Sequence, residues 1–137
     1  MATQWLSKES CVVSGIKFLL DTNVIIGLLK NTPATSELLA TNQCKPDACA
    51  VSQITRIELF SYPDLSEKED QTIRVLLEVV HVIRLDDEIE QVAIAIRKKK
   101  KLRLPDAVVA ATAVVKDLQL LTFDKSLLKA FESVIKT

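Results

Sequence analysis

Residues 16–26 of the chain, IKFLLDTNVII, decide its fold. The apolar, β-forming run from Ile16 to Leu20 predicts a strand that ends on an acid, Asp21, and a second apolar run follows at once. Open α/β sheets bind their ligands beyond the carboxyl ends of the parallel strands. A strand that ends on a carboxylate therefore places a charge beside the expected binding site. The stretch therefore predicts a polar site at the edge of a parallel sheet.

The composition indicates one globular domain. The chain has 137 residues, 48% of them hydrophobic, which is enough for one core and too few for two ordinary domains. Lysine and arginine number 18, as do aspartate and glutamate, so the net charge gives no general attraction to nucleic acid. Any nucleic-acid site must therefore come from a local patch of charge.

The cysteines and the apolar runs together predict the cellular compartment of the protein. Cys11, Cys44 and Cys49 are odd in number and show no C-x-x-C spacing, which favours free thiols in a reducing environment. No apolar run approaches the roughly 18 residues that span a bilayer, and no secretory leader pattern precedes the first strand. We therefore expect a cytoplasmic protein with no membrane segment.

Strand and helix patterns alternate along the rest of the chain. Further strands are predicted at 48–52, 81–85, 118–123 and 133–136, with helices beginning near residues 23, 33, 55, 66, 86, 104 and 125. The helix at Leu104 is apolar nearly all round, so we expect it to be central and buried. Alternation of this kind predicts the α/β class, a three-layer α/β/α sandwich with a parallel sheet.

Four acids lie beside these elements, and each has a purely structural explanation. Asp21 and Asp124 follow strands and could be helix N-caps, although Thr22 or Asn23 could also cap the helix after Asp21. Asp106 in a first helical turn is expected from the helix dipole. Glu58 matches the T-x-x-E capping box that begins at Thr55.

Together the four carboxylates predict a metal site. If they converge at the sheet edge, they repel one another unless some hold a proton or a cation lies among them. Oxygen ligands without histidine or cysteine select hard ions, so Mg²⁺ or Mn²⁺ is expected. Such ions suit phosphate chemistry, because they polarise a phosphoryl oxygen, activate a water and stabilise the leaving oxygen.

The order of four motifs resembles the PIN-domain nucleases, and in particular the VapC-like ribonuclease toxins of toxin–antitoxin pairs. The motifs are LLDTNVII at 19–26, TRIEL at 55–59, LPDAVVAATA at 104–113 and LLTFD at 120–124. The resemblance covers residues 16 to 136. It implies a PIN-like nuclease domain over residues 16–137 with strand order 3-2-1-4-5, preceded by an extension at residues 1–15.

The same resemblance implies roles for single residues. Asp21, Asp106 and Asp124 would be ligands of Mg²⁺ or Mn²⁺, and Glu58 would complete the catalytic acids. Asn23 and Thr122 match polar positions that order the acids or the water between them. The implied activity is metal-dependent endoribonucleolytic cleavage of RNA. The implied partners are a small antitoxin protein that covers the acids and a second copy of the chain in a homodimer.

The sequence departs from the family pattern in a run of cations and in its helix ends. Six cations fall within seven positions, namely Arg97, Lys98, Lys99, Lys100, Lys101 and Arg103. They fit either a solvated helix C-terminus or an edge that guides RNA phosphates towards Asp106. In addition, Lys100-Lys101 and Lys116-Asp117 stand where many relatives have a helix-ending glycine, which predicts a non-glycine cap or a different turn.

Two other functions are compatible with the sequence. A catalytically inactive PIN-like protein could keep the fold and act by binding a protein or nucleic acid, although such a chain would be free to lose its acids. Phosphoryl transfer through an aspartate nucleophile fits a strand-end Asp21, but the chain lacks the second acid of the D-x-D pattern. The nuclease is the interpretation that uses all four acids.

Overall fold

The structure is a computed structural model that describes Trp5 and residues 15–135. Within that part of the chain there are four strands and seven α-helices, with a 3₁₀ turn at Pro46–Ala48. The strands are β1 (Phe18–Leu20), β2 (Cys49–Ser52), β3 (His81–Ile83) and β4 (Gln119–Leu121). The helices are α1 (Thr22–Leu29), α2 (Pro33–Thr41), α3 (Gln53–Phe60), α4 (Glu67–Val79), α5 (Asp87–Lys99), α6 (Leu104–Val115) and α7 (Lys125–Ile135).

The four strands form one parallel sheet in the order β3-β2-β1-β4. Leu19 in the middle of β1 lies opposite Ala50 of β2 on one side and Leu120 of β4 on the other. The chain moves outwards from β1 to β3 and then returns past β1 to β4, so the direction of the crossovers reverses between β1 and β4. That reversal is where open α/β sheets bind ligands.

Alternate strand residues face two separate cores, because successive side chains of a strand point to opposite faces of the sheet. Leu20 and Val51 pack with helices α1 and α4 on one face. Leu19 and Ala50 pack with α5, α6 and α7 on the other. Residues 107–113 of α6 are all buried, which confirms the predicted central helix. The predicted α/β/α sandwich with a parallel sheet is also confirmed.

The predicted fifth strand is wrong for the part of residues 133–136 that the structure describes. Ser133, Val134 and Ile135 are the last residues of α7, and Lys136 lies outside the described residues. The apolar positions Leu127, Phe131 and Val134 recur at helical spacing and pack on the second core, so the helical face continues through this segment. Among the described residues the order is therefore 3-2-1-4 and not 3-2-1-4-5.

The helix starts are correct in part. The predicted capping box at Ser66 and Glu69 is present, and Asp86 caps α5 through Ile89 N. The box at Thr55 is wrong, because the N-cap of α3 is Ser52, three residues earlier, whose hydroxyl accepts from Ile54 N at 3.2 Å. Glu58 therefore lies in the middle of α3, away from the helix start.

The two glycine-less helix ends differ from each other. Helix α6 ends in a left-handed residue, Asp117, at φ 55°, with Leu118 N donating to Ala113 O at 2.9 Å. Helix α5 instead ends at Lys100 in extended backbone, at φ −126° and ψ 146°. One end therefore keeps the left-handed cap with an aspartate, and the other uses a different turn.

Trp5 belongs to the first core. Its side chain is buried, and its Nε1 donates to Cys44 O at 3.0 Å. Cys44 and Cys49 are free and buried, with their sulfurs 2.7 Å apart, while Cys11 lies outside the described residues. The hydrogen bond with Cys44, together with burial, raises the pKa of the Cys49 thiol far above its usual range. None of the described helices is long and apolar enough to cross a bilayer.

Candidate active site

The four predicted acids line one cavity at the carboxyl ends of β1 and β4. The cavity has a volume of about 330 Å³. Its lining combines acids with polar, aromatic and basic neighbours, namely Asp21, Thr22, Asn23, Ile26, Glu58, Tyr62, Arg103, Asp106 and Asp124. The structure thus brings together residues that are up to about a hundred positions apart in the sequence, at the point where the crossovers reverse.

Asp21 is both the end of β1 and the N-cap of α1. Its Oδ1 accepts from Thr22 N at 2.8 Å, so the prediction of Thr22 or Asn23 as the cap is wrong. The carboxyl group is only 6% exposed, and burial raises its pKa above the ordinary value. The hydrogen bonds from Thr122 and Thr22 oppose this shift, and the nearby charges of Asp106 and Glu58 add to it. A cation beside Asp21 would favour its ionised form.

The Thr122 hydroxyl connects Asp21 to the chain after β4. Thr122 Oγ1 donates to Asp21 Oδ2 at 2.7 Å, and accepts from Asn23 Nδ2 at 3.4 Å and from Asp124 N at 3.0 Å. Asn23 Oδ1 in turn accepts from Phe123 N at 3.2 Å. Asn23 and Thr122 therefore hold the two strand ends together around the acids.

Asp124 also has a structural role. Its Oδ1 accepts from Ser126 N and Leu127 N, at 3.0 and 3.1 Å, so it caps α7 as one of the two sequence interpretations expected. Two amide donors on one carboxylate oxygen fix the orientation of the side chain. Asp21 and Asp124 are thus helix caps and cavity acids at the same time.

Glu58 is held by a threonine pair that the sequence interpretation missed. Thr22 Oγ1 donates to Glu58 Oε1 at 2.7 Å and lies 3.3 Å from Thr55 Oγ1. Thr55 is fully buried in α3, one helical turn before Glu58. Thr22 was considered only as a helix cap, and the signal that could have revealed its role is its position directly after the strand-end acid.

Asp106 lies in the first turn of α6 and pairs with Arg103. Arg103 Nε is 3.3 Å from Asp106 Oδ2, and the two side chains are 74% and 15% exposed. Asp106 raises the pKa of the guanidinium, which stays charged. The pair provides the cavity with a counter-charge from its own lining. Arg103 was predicted to contact RNA and not to line the acids, so its place in this cavity was also missed.

The donor set of the cavity fits a hard divalent cation, but its present spacing does not enclose one. Carboxylate and amide oxygens are the ligands that Mg²⁺ and Mn²⁺ prefer. Among the described residues, however, no three acidic, histidine or cysteine side chains lie close enough together to hold an ion. One oxygen of Asp106, Oδ2, is meanwhile engaged by Arg103 Nε at 3.3 Å.

The predicted RNA-contacting cations lie mostly outside this cavity. Arg97, Lys98, Lys100, Lys101 and Arg103 line a separate open groove at the end of α5. Only Arg103 lines both the groove and the acid cavity, and Lys99 lines neither.

The chain matches the sequence model of the PIN domain over residues 18–132. No curated protein matches it in sequence. Several solved structures share its fold. One is a toxin–antitoxin complex from Klebsiella pneumoniae, at 29% identity and TM-score 0.69, which covers 80% of this chain and 89% of that one.

Two more distant structures show the same fold. VapBC-1 from nontypeable Haemophilus influenzae matches at 23% identity and TM-score 0.69, over 88% of this chain and 94% of that one. FitAcB from Neisseria gonorrhoeae matches at 22% identity and TM-score 0.67, over 84% and 93%.

Proposed function

Because the chain belongs to the PIN-domain family, whose members are generally nucleases, we propose that it is a metal-dependent endoribonuclease that hydrolyses RNA phosphodiester bonds. The observation that carries the proposal is the lining of one cavity by Asp21, Glu58, Asp106 and Asp124. Four carboxylates concentrate negative charge at one place, and a bound divalent cation would offset their repulsion.

The residues of the cavity divide into three roles in this proposal. Asp21, Asp106 and Asp124 hold Mg²⁺ or Mn²⁺, which when bound would polarise a phosphoryl oxygen and activate water. Glu58, fixed by the hydroxyl of Thr22, orients a water or substrate group beside them. Thr122 and Asn23 hold Asp21 against the end of β4, so that the acids from the two strands keep their spacing.

The biological role that we propose is that of the toxin in a toxin–antitoxin pair, acting in the cytoplasm. The structures from Klebsiella pneumoniae and Haemophilus influenzae support it, since their descriptions name a toxin–antitoxin complex and a VapBC assembly. A small antitoxin would then cover the acid cavity, and the nuclease domain of residues 16–137 would form a homodimer. The resemblance of the motifs is the only support for the dimer.

RNA cleavage with and without EDTA tests the proposal. Wild type is expected to cleave a mixed-sequence single-stranded RNA with Mg²⁺ or Mn²⁺, to stop in EDTA and to recover when the ion is restored. Asp21→Asn should lower the cleavage rate by more than about 100-fold. Removing a residue that only hydrogen-bonds to a metal ligand costs up to about that much, and Asp21 is itself a proposed ligand. Asp87→Asn is the matched control, because Asp87 is an exposed acid at the start of α5 and lies outside the cavity.

A second measurement separates the metal site from the activity. Mn²⁺ should raise the melting temperature of wild type and of Asp87→Asn but not of Asp21→Asn, since a ligand stabilises only the state that binds it. Cleavage that continues unchanged in EDTA, or in Asp21→Asn, would refute the metal mechanism. RNA binding without cleavage under any metal condition would instead favour an inactive PIN-like binding protein.

A further inference from the structure

The groove beside the acid cavity carries a concentrated positive charge. Its cationic lining consists of Arg97, Lys98, Lys100, Lys101 and Arg103, and none of the acids within residues 15–135 lines it. Among the described residues no carboxylate lies within ion-pair distance of the first four of these side chains. Neighbouring unpaired cations repel one another, so a polyanion that runs along the groove would relieve that repulsion.

The groove and the acid cavity share one lining side chain. Arg103 lines both, and its Nε contacts Asp106 at 3.3 Å. A chain of phosphates that leaves the acid cavity past Arg103 therefore meets the lysines directly. In the absence of substrate the guanidinium pairs with Asp106, and it is exposed enough to turn towards a phosphate instead.

The groove lining also includes two aliphatic side chains. Ile94 is 46% exposed, and Leu102 is partly buried. Aliphatic groups among the cations can pack against riboses and the faces of unstacked bases, which a single strand offers and an A-form duplex largely hides. An acidic peptide would satisfy the charges but offers no ribose or base to these side chains.

We infer that this groove, lined by Lys98, Lys100 and Lys101 and joined to the acids by Arg103, binds the single-stranded RNA that flanks the cleaved bond. The inference rests on the proposed nuclease function for its substrate, but it concerns binding and not the reaction itself. Arg103 would contact the RNA between the groove and the acids and so position it. The lysine run is therefore assigned to substrate binding and not only to the solvated end of α5.

The chain offers an internal control for this assignment. Lys99 belongs to the same run and is exposed, but it does not line the groove. Lys129 is an exposed lysine on α7 and also lies outside the groove. The double variant Lys98→Gln with Lys101→Gln, the groove pair, can thus be compared with the double variant Lys99→Gln with Lys129→Gln, the control pair. Each double variant removes two positive charges.

The test is the binding of a fluorescent 20-nucleotide single-stranded RNA to the full chain in EDTA, over 50 to 200 mM KCl. Each lysine that contacts a phosphate contributes about 0.7 to the slope of log affinity against log salt concentration. The groove pair should lower that slope by about 1.4 and weaken binding several-fold, uniformly across RNA sequences. The control pair should bind like wild type, and a duplex of the same length should bind more weakly.

Failure of this inference can be told apart from failure of the nuclease proposal. Equal binding by the groove pair and the control pair would overturn the inference while leaving cleavage intact. Salt-dependent RNA binding that only the groove variants lose would support it even if no RNA is cut. Binding of poly-glutamate but not of RNA would assign the groove to an acidic protein segment and would also overturn it.

Discussion

Thr122 Oγ1 lies 2.7 Å from Asp21 Oδ2 and donates a hydrogen bond to it, which joins two residues 101 positions apart at the ends of neighbouring strands. The same hydroxyl accepts from Asn23 Nδ2 and from Asp124 N. One threonine side chain therefore sets the distance between the acid after β1 and the acid after β4. This hydroxyl therefore connects two of the acids that line the cavity.

Thr122→Val is expected to lower both stability and cleavage. Valine keeps the volume but leaves Asp21 Oδ2, which is buried, without its donor, at a cost of about 1–3 kcal/mol. Urea unfolding measures the free energy of unfolding, and RNA cleavage is measured on the same samples. Thr122→Ser keeps the hydroxyl and should recover most of both. Equal unfolding free energies for the valine variant and wild type would contradict this role.

Thr22→Val is expected to reduce cleavage more than stability. Thr22 is partly buried, and its hydroxyl donates to Glu58 Oε1, so its removal frees Glu58 to move without opening a large cavity. Loss of a group that orients a catalytic acid typically costs about 10–100-fold in activity. Single-turnover cleavage measures the loss, and Thr22→Ser should restore the rate. A valine variant as fast as wild type would exclude Thr22 from positioning Glu58.

Asp21→Asn is expected to raise stability at neutral pH in metal-free buffer. Burial holds the pKa of Asp21 above its ordinary value of 3.8. At a pH between the ordinary pKa and the raised pKa of the folded chain, the folded chain keeps a proton on Asp21 that the unfolded chain has lost. The contribution of Asp21 to stability therefore falls as the pH rises from the lower pKa to the higher one. Asparagine has no charge to bury, and it can still cap α1.

Urea unfolding at several pH values checks this prediction. The variant should be more stable than wild type at pH 7, and the difference should vanish well below pH 3.8, where the Asp21 carboxyl group is protonated in both the folded and the unfolded chain. Asp87→Asn, which changes an exposed acid, should show no such gain at pH 7. An Asp21→Asn variant less stable than wild type at pH 7 would show that the buried charge of Asp21 does not lower the free energy of unfolding.

Asp117→Gly is expected to stabilise the protein by about 0.5–1 kcal/mol. Asp117 ends α6 in the left-handed region, at φ 55°, where a side chain costs energy and glycine does not. Lys100→Gly is the contrasting control, because Lys100 has extended backbone and glycine there only adds freedom to the unfolded chain. Thermal unfolding should move in opposite directions for the two variants. A shift of the same sign in both would contradict the backbone explanation.

The sequence predicted the parts of the fold that depend on local periodicity. The alternation of strands and helices, the central helix α6 and the capping box at Ser66 follow from neighbouring residues alone, and all are confirmed. The fifth strand failed because a four-residue segment with two apolar residues does not distinguish a strand from the last turn of a helix. The capping box at Thr55 failed because Ser52, three residues earlier, offers the same chemistry.

For the cavity, the sequence supplied Asp21, Asp106 and Asp124, because strand ends and first helical turns can be recognised locally, and it supplied Glu58 and Asn23 through the order of the motifs. It did not supply Thr22 as the partner of Glu58, or Arg103 as the partner of Asp106 inside the cavity. Those pairings depend on where α3 and α6 pack relative to β1. No periodicity in the sequence encodes such a distance.

The sequence by itself therefore determined the α/β class, the candidate acids and the run of cations, since each depends on residue type and on spacing along one element. Only the tertiary structure decided that the acids share one cavity, that burial raises the pKa of Asp21, and that Lys99 does not line the groove. The distances between these residues and their burial arise from the packing of distant segments. They are therefore defined only once the sheet and its helices are assembled.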